Sequence, residues 1–188
     1  MLDQLAGVVE QATVALEGYE HAPALENMER FFWGFTDDYL ELVKGRAYGG
    51  NGPEAAGSAI ASLRFALDVL LRLFAPFIPY ATEEVWSWWK EGSIHRASWP
   101  STEAFPAGGD PVVFEVAAWA LGEVRKAKAL AKRSLRTEVE RLVVRDTPER
   151  LKILRGVERD VAEAGKVRSV EYAEATEPSA EVHLAPEV

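Results

Sequence analysis

The sequence predicts a mainly α-helical protein, a helical bundle with a small C-terminal α+β appendix. Three observations predict it. Apolar residues recur at alternating steps of three and four through most of the first 110 residues. A Gly- and Pro-rich stretch running to Pro111 makes the best boundary in the chain. Beyond one further long helix the periodicity changes to short runs centred on β-branched residues. Residues 1–110 are therefore expected to form the bundle, and 111–188 a basic helix with a small α+β subdomain.

The first helix spans residue 2 to about 18, with Leu2, Leu5, Val8 or Val9, Ala12 and Leu16 on one face. Gly18 to Pro23 interrupts it, and Pro23 suits the first turn of the next helix. That second helix carries Leu25, Met28, Phe32, Phe35, Tyr39 and Leu42 as an apolar stripe and ends at Gly45. Its five aromatic residues, Phe31, Phe32, Trp33, Phe35 and Tyr39, fall within nine positions. Phe32, Phe35 and Tyr39 lie on the stripe and are assigned to the core, Trp33 to packing between helices or domains. Trp33, Asp37 and Lys44 project within about 40° of one another on the outer face, and Asp38 is a candidate for a buried polar contact. After the loop Gly49–Pro53, Ile60, Leu63, Leu67, Leu70, Leu71 and Phe74 mark a third helix from about Glu54 to Phe74. Pro76 and Pro79 break it, and Thr82-Glu83-Glu84 puts acids in the first turn of a fourth, where the helix dipole favours them. Trp86, Trp89 and Trp99 are assigned to the core.

A fifth helix is expected from about Val113 to Arg136, with an alanine-rich stripe suited to close packing. Arg125, Lys128, Lys132 and Arg136 lie within about 80° of each other on it. Val139 to Arg145 reads as a strand, Pro148 to Ala164 as a helix, and Arg168 to Ala173 and Glu181 to Leu184 as short strands.

Composition removes several function classes. Cysteine is absent, which excludes disulfides and thiolate metal sites. His21, His95 and His183 have no metal-ligand spacing. Gly49-Gly50-Asn51-Gly52 lacks the Lys-Ser/Thr of a phosphate loop, and there is no GxSxG elbow. Asp37 and Asp38 are neighbours on a helix and point about 100° apart, which does not make an acid–base dyad. No apolar run reaches the length of a membrane span and no signal peptide is evident, so a cytoplasmic location with no membrane partner is expected. The net charge is −9, yet Arg125 to Arg155 carries 11 bases against 4 acids. That zone is a candidate for polyanion contact, although charge alone favours a solvated helix face.

Two segments together resemble a known family. The first is FFWGFTDDYLELVKGRAY, residues 31–48. The second is Ala75-Pro76-Phe77-Ile78-Pro79-Tyr80-Ala81-Thr82-Glu83-Glu84-Val85-Trp86, followed by Ser93-Ile94 and Trp99-Pro100. They are similar to the anticodon-binding helical bundle of class Ia aminoacyl-tRNA synthetases, and the first is most like the valine branch. The basic segment VRKAKALAKRSLRTEV, residues 124–139, is similar to the helix that comes next in the same family.

The resemblance covers about residues 1–172. It implies a piece of a much longer ligase, docked on that ligase's catalytic domain, with the anticodon stem–loop of tRNA (valine isoacceptor) as partner. It implies no catalytic residue, metal or cofactor in this segment, since no HIGH- or KMSKS-type motif occurs. ATP and magnesium would belong to the catalytic domain.

Reading an anticodon requires stacking surfaces, acceptors for base edges and cations for phosphates. The end of the second helix has these types: Glu41 for a base amino group, Lys44 and Arg46 for phosphates or base carbonyls, and Tyr48 for stacking. Arg125, Lys128, Lys132 and Arg136 would suit the stem backbone. Two other readings compete: the same domain from an isoleucine or leucine ligase, and a helical protein-interaction module without RNA binding.

Overall fold

The computed structural model describes residues 1–106 and 108–186. The chain divides into two compact units, one of Met1–Asp37 with Gly57–Gly109, the other of Asp38–Ala56 with Asp110 onward. One break in this division falls between Gly109 and Asp110, and residues 38–56 cluster with the C-terminal unit.

In the first unit, α1 (Leu2–Glu17) buries Leu5, Val8, Val9 and Ala12 and packs on α2 (His21–Gly34), which buries Ala24 and Met28. α1 ends in a Schellman cap. Tyr19 adopts the left-handed conformation (φ 61°), its N–H donates to Leu16 O at 3.0 Å, and the Glu20 N–H donates to Ala15 O at 2.8 Å. The long α4 (Gly52–Phe74) contributes Ala59, Ala66, Val69, Leu70 and Leu73 to this core, and Phe74 meets Phe32 edge-on at 5.7 Å. Trp99 is tied to α1 by its indole N–H, which donates to Thr13 Oγ1 at 2.8 Å.

α5 (Pro79–Ser87) starts on Pro79, whose missing N–H would be unpaired there anyway. Leu71, Ala75, Trp86 and Ile94 form one buried cluster, with Val85 and Trp89 packed against it. Glu83 closes this cluster from the polar side. Its Oε2 accepts from the Ser93 hydroxyl and from the Ile94 N–H, both at 2.9 Å. The Thr-Glu-Glu and Ser-Ile halves of the sequence motif are thus hydrogen-bonded to each other.

In the second unit, α3 (Leu40–Ala47) buries Leu42 and Val43. α6 (Pro111–Leu130) is capped by Asp110, whose Oδ1 accepts from the Val112 N–H at 2.9 Å. α6 buries Val116, Ala117, Ala120, Leu121, Val124 and Lys128. β1 (Val139–Asp146) is the centre of a three-stranded sheet ordered β2-β1-β3. β2 (Val170–Glu174) runs parallel to it, with Val144 opposite Tyr172, and β3 (Ser179–Leu184) antiparallel, with Val144 opposite Ala180. Between β1 and β2 lie α7 (Pro148–Gly156) and α8 (Glu158–Gly165). α6 packs on α7, α8 and β3, and α3 packs on α8.

Three expectations from periodicity are corrected. The second predicted helix contains a π turn at Phe35–Tyr39. One residue is added to the turn, so the 100° projection that grouped Trp33, Asp37 and Lys44 does not carry across it. The helix expected to run to Arg136 stops at Leu130, where Lys132 turns left-handed at φ 54°. The helix expected over 148–164 breaks at Val157, whose φ of −124° is outside the helical range. Of the aromatics assigned to the core, Phe35 and Trp86 are buried, whereas Phe32, Tyr39, Trp89 and Trp99 are half-buried; Trp33 is 60% exposed.

Replacing Glu83 by Ala leaves the Ile94 N–H without its acceptor, and Ile94 is 3% exposed. Glu83→Ala is expected to lower unfolding free energy by about 1–2 kcal/mol in chemical denaturation, with Glu83→Gln, which keeps one acceptor oxygen, losing less.

Candidate nucleic-acid interface

The packing of α3 on α8 leaves a cleft of about 430 Å³. Glu41, Lys44 and Tyr48 line it from α3 and its C-terminal end, and Arg159, Glu163 and Lys166 from α8 and its end. Gly45 permits the close approach: a Cβ there would stand 1.8 Å from Glu163 Oε2, so any side chain would displace that carboxylate. Lys44 pairs with Glu41 one turn earlier, and Arg159 Nε donates to Glu163 Oε1 at 2.9 Å. Tyr48 is 90% exposed, a ring held at the rim with its faces open to solvent. The cleft therefore combines carboxylate acceptors, cations and an aromatic face, the residue types that single-stranded nucleic acid requires. Three of the four residues expected at the end of the aromatic helix meet here.

Arg46, the fourth, is not in the cleft lining. Its Nε lies 3.0 Å from Asp160 Oδ2, close as a charge pair but without the alignment of a hydrogen bond. Asp160 is 6% exposed, and its carboxyl is pushed above the ordinary carboxylate range by burial, an effect that the Arg46 charge opposes. The Arg46 cation thus offsets a buried carboxylate, a structural task that competes with any contact to RNA.

The expected basic stripe on α6 also requires correction. Arg125 is half-buried and its NH1 donates to Asp38 Oδ1 at 2.7 Å, so Asp38 makes a polar contact, but a half-buried one and not the buried one expected. Lys128 is 1% exposed, and its Nζ donates to Leu135 O at 3.0 Å and Gly165 O at 2.7 Å. It cannot reach a phosphate. Burial, with repulsion from Lys166 and Arg125, pushes its pKa below the ordinary lysine value. Lys132 and Arg136 are exposed but lie beyond the helix, in the turn before β1. The stripe dissolves for two reasons: Arg125 and Lys128 are engaged by partners within the fold, and Lys132 and Arg136 lie past the end of the helix.

Sequence reasoning missed Arg159 and Lys166. The signal for Lys166 is Gly165-Lys166 directly after a helical run, a helix-stop pattern with a cation at the C-terminal end. Arg159 carries no local signal; only the packing of α8 on α3 brings it to the cleft. Among the described residues there is no group of His, Asp and Glu that could hold a metal ion, and no helix is long and apolar enough to cross a membrane.

A helical bundle that carries the paired Thr-Glu-Glu and Ser-Ile motif defines a class: the chain belongs to the anticodon-binding domain family of tRNA ligases, whose profile matches residues 1–143. Particular relatives sharpen the placement. The chain is 50% identical over 192 aligned residues to a valine–tRNA ligase of Thermobifida fusca (strain YX), covering 99% of this chain and 21% of that protein. It is 44% identical to valine–tRNA ligases of Salinispora arenicola (strain CNS-205), over 100% of this chain and 23% of that protein, and of Cutibacterium acnes (strain DSM 16379 / KPA171202), over 92% and 20%. The chain thus spans about a fifth of the length of the curated relatives it matches.

The Asp160 environment has a pH consequence. Its folded-state pKa lies above the ordinary value of 3.8, so the native state holds that proton more tightly than the unfolded state. Raising the pH from about 3.8 through the elevated folded value removes stability. The stability of the wild type relative to Asp160→Asn is therefore expected to fall with rising pH across that window and then level off, measured by chemical denaturation of both proteins at each pH.

Proposed function

We propose that this chain is the anticodon-binding segment of a valine–tRNA ligase, and that its RNA contact is centred on the cleft between α3 and α8. The observation that carries the reading is the convergence of Glu41, Lys44 and Tyr48 with Arg159 and Lys166 in one cleft of about 430 Å³, a volume suited to a nucleobase and its sugar. Identity of 44–50% to valine–tRNA ligases across 92–100% of the chain supports valine over isoleucine or leucine as the parent specificity. In this reading Glu41 accepts from a base edge, Tyr48 stacks, and Lys44, Lys132 and Arg136 neutralise phosphates. The roles first considered for Arg46, Arg125 and Lys128 become structural. The parent activity would be ATP-dependent attachment of valine to its tRNA, with ATP, magnesium and the amino acid handled outside this segment, on a catalytic domain that shares the polypeptide in the cytoplasm.

The test is binding of anticodon stem–loop RNA at stated salt. A valine anticodon is expected to bind more tightly than a scrambled loop. Equal, salt-sensitive binding of both would indicate a nonspecific basic surface. Tyr48→Ala is expected to cost about 1–3 kcal/mol of binding through lost stacking. Lys44→Ala should reduce the slope of log K against log salt by about 0.7, without loss of thermal stability. Arg46→Ala should instead lower the melting temperature, because Asp160 loses its cation.

A further inference from the structure

α6 and α8 end in the same way. At α6, Lys132 is left-handed (φ 54°), its N–H donates to Ala129 O at 2.9 Å, and the Arg133 N–H donates to Lys128 O at 2.8 Å. At α8, Lys166 is left-handed (φ 57°), its N–H donates to Glu163 O at 3.4 Å, and the Val167 N–H donates to Ala162 O at 2.9 Å. Both are Schellman caps whose left-handed position, which glycine fills without steric cost, is filled by an exposed lysine. Between them stands Lys128. One buried ammonium holds Leu135 O, three residues after the first lysine, and Gly165 O, the residue before the second. The two caps are therefore pinned to a single nitrogen, and Lys166 lines the RNA cleft.

We propose that Lys128 is a positioning residue that fixes Lys132 and Lys166, at the ends of α6 and α8, as a two-cation contact for the phosphate backbone of the bound RNA. The assignment rests on the RNA-binding reading and gives Lys166, already in the cleft, a specific role in it. Both side chains are exposed to solvent. The acids nearest in sequence are already engaged: Glu163 pairs with Arg159, and Glu138 with Arg168.

The experiment is a salt titration of stem–loop binding by the full chain and its variants, with thermal melts in parallel. Lys132→Gly and Lys166→Gly are expected to melt at or above the wild-type temperature, since glycine relieves the left-handed position. Each should reduce the slope of log K against log salt by about 0.7–0.9. Lys128→Met should weaken binding about three- to tenfold at fixed salt, the loss of one to two phosphate contacts. In a Lys132→Gly/Lys166→Gly background it should weaken binding no further. Should Lys128→Met melt below the assay temperature, Lys128→Gln, which keeps a donor for one carbonyl, takes its place. Binding that is sensitive to Lys44→Ala but unchanged by the Lys132, Lys166 and Lys128 variants overturns this assignment alone. Equal weakening by the Lys128 variant in both backgrounds overturns the positioning role. Absence of RNA binding by the wild-type chain overturns the functional reading and this assignment with it.

Discussion

Burying an ammonium group without partners costs several kcal/mol, and a lysine is retained inside a fold only where its donors are satisfied. Lys128 meets that condition with two backbone carbonyls, and the C-terminal unit is arranged around it. Leu135 O belongs to the turn between α6 and β1, and Gly165 O to the end of α8. These carbonyls lie in or next to chain that has left helical geometry, where backbone acceptors have no partner within the helix. One side chain thus satisfies acceptors from two distant stretches, 7 and 37 residues away. Gly165 completes the arrangement, since a Cβ there would come within 3.1 Å of Val167 Cγ2 and 3.5 Å of Val124 Cγ1.

The same fold places charge where it is least costly. Lys132 and Lys166 sit at helix C-terminal ends, where the partial negative charge of unpaired carbonyls favours cations. Their left-handed backbone carries a strain of about 1 kcal/mol that glycine would avoid. Strain of this kind persists where surrounding structure over-determines it, and it gathers at functional sites. Tyr19 shows that the cap itself tolerates a side chain in this molecule, for α1 ends in the same motif. The distinguishing circumstance in the second unit is the buried cation behind the two lysines.

Elements that announce themselves locally were legible in the sequence. The stripe Leu5, Val8, Val9 and Ala12 located α1 and Val143-Val144 located β1, whereas α5, expected to open at Thr82-Glu83-Glu84, begins at Pro79 with no acid in its first turn. The features that escaped lacked a local signature. No glycine marks the end of α6, because a lysine occupies the left-handed position. The π turn at Phe35–Tyr39 leaves the three-and-four spacing of apolar residues almost intact while rotating the residues C-terminal to it. The polar end of the aromatic helix was recognisable by residue type, and Glu41, Lys44 and Tyr48 do meet in the cleft. Arg46 has the same charge as Lys44 and sits two positions on. Only the fold, by bringing Asp160 to it from 114 positions away, gives it a different task.

Of the two segments that carry the family resemblance, only residues 31–48 reach the cleft; the Thr-Glu-Glu and Ser-Ile motif does not line it. Thr82-Glu83-Glu84 and Ser93-Ile94 are distinctive because they must fit each other. Glu83 needs the Ser93 hydroxyl and the Ile94 N–H, Thr82 Oγ1 bonds the Ile78 and Pro79 carbonyls, and Ile94 fills the cluster with Trp86. Interlocking contacts of this sort restrict every member at once, which makes a long, specific motif. A cleft that binds a flexible polyanion needs an aromatic face, a few acceptors and several cations, and many residue choices meet those needs. The cleft residues therefore come from α3 and α8, far apart in sequence, and their grouping is a property of the packed structure.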